Sequence, residues 1–220
     1  MAFMPENAPL VVLSFLGTCF LLGLAAVVFF YGWIARKPRR AGQALGAAVI
    51  IGGLYITLLV GAALASRERT LGPAEWKYFC EVDCHIAYSV TNVRQAKTIG
   101  EGGAAKTALG TFYLVTIRTR FDEATIGPQR GKGVLYANPR EVYALDEQGH
   151  IYTPLTPDLA ELLRKPLRPG ESYDTQALFD LPSDVREPRL FIKNAGWENY
   201  LLIGHENSPL HKKAYFALRS

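Results

Sequence analysis

Two long apolar stretches open the chain. No charged side chain occurs in residues 7–35 or in residues 41–66. Each stretch exceeds the ~20 residues that a helix needs to cross the hydrocarbon core of a bilayer. The pattern predicts two transmembrane helices, at about residues 9–35 and 41–65, which form an N-terminal hairpin domain of residues 1–66.

An alternating pattern replaces the continuous apolar one in the rest of the chain. In Thr111–Phe121 and again in Tyr173–Leu181, apolar or aromatic side chains recur at every second position. This period of two is typical of a strand with one buried face. The polar run at residues 146–149 predicts a tight turn, with Gly149 available for a positive φ. The other predicted strands are Ile86–Val90, Val142–Leu145, Ile151–Thr153, Leu190–Ile192, Tyr200–Ile203 and Ala214–Leu218.

One short helix interrupts these strands. Thr156 suits the N-cap of this helix, and Pro157 suits its first position. Elsewhere in the domain, the glycine-rich run Gln95–Ala105 predicts a loop. Short strands with Gly- and Pro-rich turns and a single small helix predict a β-sandwich over residues 80–220. A linker of residues 67–79 would join it to the hairpin. The predicted fold class is therefore membrane-anchored all-β.

A series of short runs along the predicted β domain carries a family resemblance. The runs are Leu109–Ile117, Leu145–Tyr152, Leu167–Glu171 and Leu178–Pro182. They resemble the immunoglobulin-like extracellular domain family, of largely unknown function, found on bacterial lipoproteins and membrane-anchored proteins. The resemblance covers roughly residues 85–205 and implies an Ig-like β-sandwich with an interaction or envelope role and no catalytic residues. The chain departs from the family at Trp76–His85, and its anchor would be two helices rather than a lipid.

The distribution of Lys and Arg predicts how the hairpin is oriented in the membrane. Lys and Arg outnumber Asp and Glu by 24 to 20. Short loops rich in Lys and Arg stay on the cytoplasmic side of a membrane. The chain is thus predicted to be a two-pass protein of the inner (plasma) membrane, with its N-terminus and C-terminal domain on the periplasmic or extracellular side. A basic excess of this origin indicates topology and does not indicate nucleic acid binding. The excess matches one cluster between the helices, which consists of Arg36, Lys37, Arg39 and Arg40.

A cleaved signal peptide is the alternative for the first apolar stretch. Such a peptide has a basic segment ahead of a short apolar core. Residues 1–8 contain Glu6 and no Lys or Arg, and the apolar run is far longer than such a core. The sequence therefore favours a retained helix.

Cys80 and Cys84 are the cysteines of the predicted outer domain. An oxidising compartment favours a structural disulfide between them. With three residues between them, their Cα atoms would be ~13 Å apart on a straight strand, which is too far for a bridge. Across a turn of the chain they approach to about 6 Å, which a disulfide can span. The disulfide prediction therefore requires that residues 80–84 are not extended.

Metal binding or redox chemistry competes for the same motif. Cys80, Cys84 and the adjacent His85 could ligate a metal, although two cysteines and one histidine fall short of a closed site. The dinuclear copper site of cytochrome oxidase subunit two also contains Cys-x-x-x-Cys, but it needs a histidine where this chain has Tyr88. Covalent haem attachment and thiol–disulfide exchange are further alternatives. The histidines available to complete a metal site are His150, His205 and His211.

Sequence patterns of common enzymes do not occur in the chain. It contains no Gly-x-Ser-x-Gly, no His-Glu-x-x-His and no Gly-Lys-Ser/Thr phosphate loop. Neither predicted span carries an ionisable Asp, Glu, Lys, Arg or His that could serve a proton or ion path. We therefore predict a non-enzymatic, membrane-tethered binding module without a cofactor. Its partners would be the lipid bilayer and an envelope protein, and not nucleic acid; the alternative is a metal-binding or thiol-redox envelope protein.

Overall fold

The structure is a computed structural model, and its residues group into two compact units. One unit contains the β-sheets; the other contains the two long helices together with Trp197–Lys212, which we call the 197–212 loop. The residues that the structure describes are 2–3, 8–79, 84–102, 105–126 and 131–219.

Two long apolar helices lie in the N-terminal part of the chain, as predicted. α1 spans Ala8–Ile34 and α2 spans Pro38–Ala65, and both are long and apolar enough to cross a membrane. Most of their apolar side chains are exposed, which is the surface that a bilayer would cover. The helices approach closely beside the turn, because a Cβ atom on Gly32 would lie 2.9 Å from the backbone nitrogen of Ala41.

The turn between the helices is shorter than the pattern of apolar residues indicates. α2 begins at Pro38 and not at residue 41, so Arg39 and Arg40 lie in its first turn. Proline fits this position because the first N–H of a helix has no partner within the helix. Arg36 takes a φ of 51° in the turn itself. The cationic cluster therefore remains together at one end of the hairpin.

The 197–212 loop contains a 3₁₀ helix at Trp197–Leu201. The strand predicted at Tyr200–Ile203 is therefore wrong. This apolar run has the composition of a strand, but its partners are α2 and its own turns. The hydroxyl of Tyr55, in α2, donates a hydrogen bond to the carbonyl oxygen of Leu201 at 2.6 Å.

The β unit consists of two five-stranded sheets. Their strands are β1 (Ala2–Phe3), β2 (Arg69–Leu71), β3 (Trp76–Phe79), β4 (Ile86–Ile99), β5 (Lys106–Phe121), β6 (Arg140–Leu145), β7 (Ile151–Tyr152), β8 (Ser172–Leu181), β9 (Arg189–Asn194) and β10 (Ala214–Ala217). The first sheet has the order β1-β3-β4-β5-β8, and the second has the order β2-β10-β9-β6-β7. The pairs β1–β3 and β2–β10 are parallel, and the other neighbours are antiparallel.

Both sheets contribute to one apolar core. In β5 and β8, alternate side chains point into the core, as the sequence pattern predicts. Strands β6, β9 and β10 of the second sheet supply the core residues on the other side. The domain is therefore a β-sandwich in its coarse architecture. Fully buried core residues from the two sheets include Tyr88, Val115, Ile117, Phe121, Phe179, Leu181, Leu190, Ile192 and Phe216.

Two segments differ from the pattern expected of them. β2 and β3 lie within residues 67–79, for which the sequence predicts a linker; both strands pair with partners that no local hairpin signal identifies. The short helix α3 spans Leu159–Leu162 and follows Asp158, whose φ is 51°, so Thr156 is not its N-cap. The Thr156 hydroxyl accepts instead from the N–H of Leu178 in β8 at 2.8 Å.

Candidate interaction surface

Three hollows on the β domain adjoin one another through shared lining residues. They measure about 750 Å³ between the ends of β2, β9 and β10, about 320 Å³ at the turn of residues 146–150, and about 570 Å³ where β5 meets β8. Glu147 lines the first and second hollows, while Tyr152 and Asp184 line the second and third. We call this the acidic groove. Its carboxylates are Glu68, Asp146, Glu147, Asp180, Asp184 and Glu187.

The Asp146 carboxylate closes the turn at the centre of the acidic groove. Its Oδ1 accepts from the backbone N–H groups of Gln148 at 3.0 Å and His150 at 2.8 Å. Its Oδ2 accepts from Nδ1 of His150 at 2.7 Å and from the Tyr152 hydroxyl at 3.0 Å. Gly149 takes a φ of 85°, as predicted for this turn. Burial disfavours the charged carboxylate, but the His150 and Tyr152 hydrogen bonds outweigh it and lower the pKa of Asp146 to about 2.

Other carboxylates of the groove fix its walls through backbone contacts. Oε1 of Glu147 accepts from the N–H of Arg186 at 2.6 Å and from the N–H of Glu187. Its own backbone N–H and those two amides hold the pKa of Glu147 below its usual range. Asp180 likewise accepts from two backbone N–H groups at the start of the β5–β8 pairing. These three acids are therefore parts of the scaffold. The lowered pKa values of Asp146 and Glu147 keep those two carboxylates charged at neutral pH.

The other charged side chains of the acidic groove are accessible to a charged partner. Arg189 pairs with Glu68 at 2.6 Å, and Arg219 pairs with Glu187 at 2.7 Å, with side chains partly exposed to solvent. Surface ion pairs of this kind contribute only about 0–1 kcal/mol, so a charged partner can replace them at small cost. Asp184 is exposed and makes no hydrogen bond or ion pair within the described part of the chain.

His150 is oriented by Asp146 and open to solvent, and such a pair corresponds to two of the three members of a catalytic triad. Its side chain is 71% exposed, and its Nδ1 is engaged by the carboxylate. A triad also needs a hydroxyl or thiol at the other ring nitrogen. Among the described residues that line the hollow around His150, none is serine, threonine or cysteine.

The cysteine motif falls only partly within the described residues. Cys80 lies outside them, so the disulfide with Cys84 and the metal alternative both stay predictions. His85 is buried; its ring stacks on Phe121 at 5.3 Å between centroids, and its Nδ1 lies 2.7 Å from the Thr125 hydroxyl. In the described ranges, no group of three or more His, Cys, Asp or Glu side chains is placed to hold a metal ion. The other histidines lie apart from the motif in the chain, His150 in the acidic groove and His205 and His211 in the 197–212 loop.

No local sequence pattern signals the polar network beside β3. The Tyr78 hydroxyl donates to Asp122 and accepts from Arg120 at 2.8 Å, and Arg120 also pairs with Asp122 at 2.9 Å. The Arg120 guanidinium lies 4.1 Å from the centroid of the Trp76 ring. Burial and the bond to Asp122 raise the pKa of Tyr78, which therefore remains a neutral donor. Contacts of this kind attach β3 to β5 and give a structural role to a segment that the family pattern leaves out.

Comparison with known proteins finds a distant structural likeness. No family model matches the chain, and no curated protein matches it. Among solved structures, the secreted protein MPT63 from Mycobacterium tuberculosis is similar, with a TM-score of 0.44 and 10% sequence identity over 70% of this chain and 99% of that chain. These values support no transfer of function. The resemblance to the Ig-like extracellular domain family accordingly stays a hypothesis.

Asp146→Asn should lower the stability of the β domain at neutral pH and lose this effect in acid. The folded-state pKa of Asp146 is about 2 and its ordinary value is 3.8. A carboxyl group with a lowered folded pKa contributes stability that is fully present above its unfolded pKa and is lost as the pH falls through the folded one. We expect the melting temperature of the full-length variant in detergent to lie several degrees below the parent's at pH 7, and the two values to converge between about pH 4 and pH 2.

Asp184→Asn is the matched control for this titration. It removes the same charge from the same groove, but from an exposed carboxylate without hydrogen bonds in the described chain. Its melting temperature should follow the parent's at every pH. A gap between Asp146→Asn and the parent that stays constant from neutral pH to acid would contradict the role assigned to the Asp146 carboxylate.

Proposed function

We propose that this chain is a two-pass membrane protein whose β domain lies outside the cytoplasm and binds another envelope protein without catalysis. The acidic groove is the observation that carries the proposal. Asp146 and Glu147 are held by hydrogen bonds and give the groove a fixed shape. Asp184 and the exposed ion pairs then offer charge to a partner at low desolvation cost.

The two helices support the membrane part of the proposal. Their apolar side chains are mostly exposed and would need a bilayer to cover them. The cluster Arg36–Arg40 lies at the turn, which favours a cytoplasmic turn and an external β domain. β1, from the N-terminus, pairs with β3 of the β domain. This pairing agrees with an even number of spans, which keeps both ends of the chain on one side.

The chemistry of the groove indicates the kind of partner. Carboxylates predominate along its walls, and the hollow near β8 also exposes the apolar Leu155 beside Tyr152. A protein segment with Lys or Arg flanking an apolar side chain would complement both features. An Ig-like envelope module, as the sequence resemblance implies, would use such a surface for interaction. The metal or thiol-redox alternative depends on Cys80, and no described contact favours it.

Photo-crosslinking in intact cells tests the proposed interaction. A photoreactive residue at Ser183, in the groove wall, should capture a protein partner. Asp184→Lys in the same chain should reduce the captured product about tenfold, which corresponds to ~1.4 kcal/mol of binding free energy. Glu101→Lys makes the same charge reversal at an exposed carboxylate in the connection between β4 and β5, and should leave the product unchanged.

Two outcomes of this experiment would refute the proposal. Equal crosslinking in Asp184→Lys and Glu101→Lys would show that the groove charge does not bind the partner. A reporter fused to the C-terminus shows, in the same cells, on which side of the membrane the β domain lies. Activity from a reporter that works only in the cytoplasm would place the β domain on the wrong side of the membrane.

A further inference from the structure

Two hydrogen bonds attach the 197–212 loop to the helix hairpin, at Tyr55 within α2 and at Ser66 just beyond its end. The Tyr55 hydroxyl in α2 donates to the carbonyl oxygen of Leu201 at 2.6 Å. The backbone N–H of Lys212 donates to Oγ of Ser66, just beyond the end of α2, at 2.8 Å. At the rise of an α-helix, Tyr55 lies about 15 Å along the axis from the end of α2 at Ala65. The loop therefore follows the side of the helix for several turns.

This height falls within a bilayer that the hairpin would span. α2 has 28 residues, which is about 42 Å of helix against a hydrocarbon core of ~30 Å. A core that begins just after Arg40 is crossed by ~20 residues and ends near residue 60. Tyr55 then lies roughly 8 Å inside the outer boundary. Protein elements that lie in the membrane interface reach depths of about 5–10 Å.

Four large apolar side chains of the loop are exposed, whereas four of its polar side chains are buried. The exposed fractions are 72% for Trp197, 43% for Tyr200, 39% for Leu201 and 67% for Leu210. This arrangement is the reverse of a loop in water and fits a segment whose surroundings are hydrocarbon. The exposed charged residues of the loop, Glu198 and Lys212, lie near its two ends. Its buried polar side chains are Asn199, Glu206, Asn207 and Ser208.

Several polar groups of the loop have hydrogen-bond partners within the loop itself. The N–H of His205 donates to the carbonyl of Leu202, and the N–H of Ser208 donates to the carbonyl of His205. The Ser208 hydroxyl donates to the Leu202 carbonyl at 2.6 Å, and the N–H of Asn207 donates to Nδ1 of His205 at 3.0 Å. Irregular backbone persists at membrane depth only where such groups find partners in the protein. The loop meets this requirement at the described contacts.

We infer that the 197–212 loop is a third membrane element, which inserts into the outer leaflet beside α1 and α2. This inference rests on the proposed membrane insertion of the hairpin. Trp197, Tyr200, Leu201 and Leu210 contact the acyl chains and the glycerol region, where amphipathic aromatic rings are favoured. In the chain, the loop follows β9 and precedes β10. A lipid surface is the occupant that fits the exposed apolar side chains of the hairpin and of the loop.

Tryptophan quenching by lipid tests the insertion. The chain has three tryptophans, Trp33 in α1, Trp76 in β3 and Trp197 in the loop. Three full-length variants each keep one of them and carry Phe at the other two. Each variant is placed in vesicles of phosphatidylcholine brominated in the upper part of the acyl chains. Trp33 and Trp197 should be quenched about twofold or more relative to unbrominated vesicles, and Trp76 should not be quenched.

The single-tryptophan variants separate the possible failures. If Trp33 is quenched and Trp197 is not, the hairpin is inserted and the loop is not, which overturns the inference alone. If Trp33 is also unquenched, the hairpin does not span the bilayer, and the proposed function and the inference fall together. Quenching of Trp76 as strong as that of Trp197 would also overturn the inference, because the effect would then not be specific to the loop.

A pair of leucine substitutions provides a second measurement. Leu210→Glu places a charge on the outward face of the loop and should reduce the quenching of Trp197 by about twofold, since charge is costly in hydrocarbon. Leu109→Glu changes a leucine on the β domain that is 97% exposed and should leave the quenching unchanged. Equal responses to the two substitutions would contradict lipid contact at Leu210.

Discussion

Lys77→Ala is expected to cost the β domain about 4 kcal/mol of folding free energy. Lys77 is only 1% exposed on the inner face of β3. Its Nζ donates to the carbonyl oxygens of Ile192 at 2.8 Å and Ala214 at 3.1 Å, which belong to the opposite sheet. The substitution leaves a cavity where the side chain packed and removes the ammonium donor from two carbonyls. Urea unfolding of the full-length protein in detergent, followed by tryptophan fluorescence, measures the loss.

The topology explains why a lysine occupies this core position. β9 and β10 pair at Leu190 and Phe216, and the same register continued by two residues brings Ile192 opposite Ala214. The Lys77 ammonium bonds the carbonyls of these two residues at the point where the ladder has ended. The rings of Phe79 and Phe191 lie within 5.0 Å and 4.9 Å of Nζ and stabilise the cation. Lys77 thus connects the two sheets at a gap in the second one.

Lys97→Ala is the matched control. Lys97 also donates to two backbone carbonyls, those of Leu109 at 3.2 Å and Gly110 at 2.7 Å, but it is exposed. Water replaces its hydrogen bonds, so the expected loss is below about 0.5 kcal/mol. Lys77→Met retains the aliphatic stem and should fall between the two, which separates packing from hydrogen bonding. Equal losses for Lys77→Ala and Lys97→Ala would contradict a connecting role for Lys77.

The sequence predicted those elements whose burial is one-sided. β5 and β8 each bury one face, so alternation appeared directly in their residues. The long helices were visible because charge is absent from them throughout. β4 continues to Ile99, inside the run Gln95–Ala105 for which a loop was predicted, and its last residues are mostly open to solvent. Where no face is buried, the periodic signal disappears although the strand continues.

Long-range contacts account for most of what the sequence did not predict. β2 finds its partner in β10 at the other end of the chain. From the sequence alone, Lys77 would be placed at the surface; it is buried because its ammonium bonds carbonyl groups of the opposite sheet. The run Tyr200–Ile203 looks like a strand, yet α2 provides its hydrogen-bond partner from 146 positions away in the chain. Local periodicity contains no information about such partners.

The acidic groove was predictable only at its central turn. The run at residues 146–149 and the positive φ of Gly149 follow from turn chemistry. Asp146 accepts four hydrogen bonds, and two of them come from the His150 and Tyr152 side chains. Turn chemistry does not predict the positions of those two side chains. Glu147 meets the amides of Arg186 and Glu187 only because two sheets bring distant loops together. The site therefore arises from the tertiary structure, and its residues carry no motif.

Gly110→Ala is expected to destabilise the β domain by about 3 kcal/mol. Gly110 lies in β5 where β8 ends against it. A Cβ atom at this position would lie 2.7 Å from the carbonyl carbon of Leu181 and 2.8 Å from Cα of Pro182, and it would overlap the Leu181 carbonyl oxygen. These neighbours are backbone atoms held by the β5–β8 ladder, which pairs Thr111 with Leu181, so no side chain can rotate away. The strands must separate to admit a methyl group.

The consequence of Gly110→Ala extends to the acidic groove. The Asp180 carboxylate accepts from the N–H groups of Leu109 at 2.8 Å and Gly110 at 3.0 Å, so separation of the strands also loosens that wall. Gly72→Ala is the control, because its Cβ would meet only Oε2 of Glu75, at an ordinary 3.8 Å. That variant should unfold within about 1 kcal/mol of the parent. If urea midpoints of the two variants coincide, the close approach of β5 and β8 at Gly110 does not limit the stability of the domain. If only Gly110→Ala unfolds early and also loses the crosslink from Ser183, the junction that stabilises the sandwich also shapes the groove.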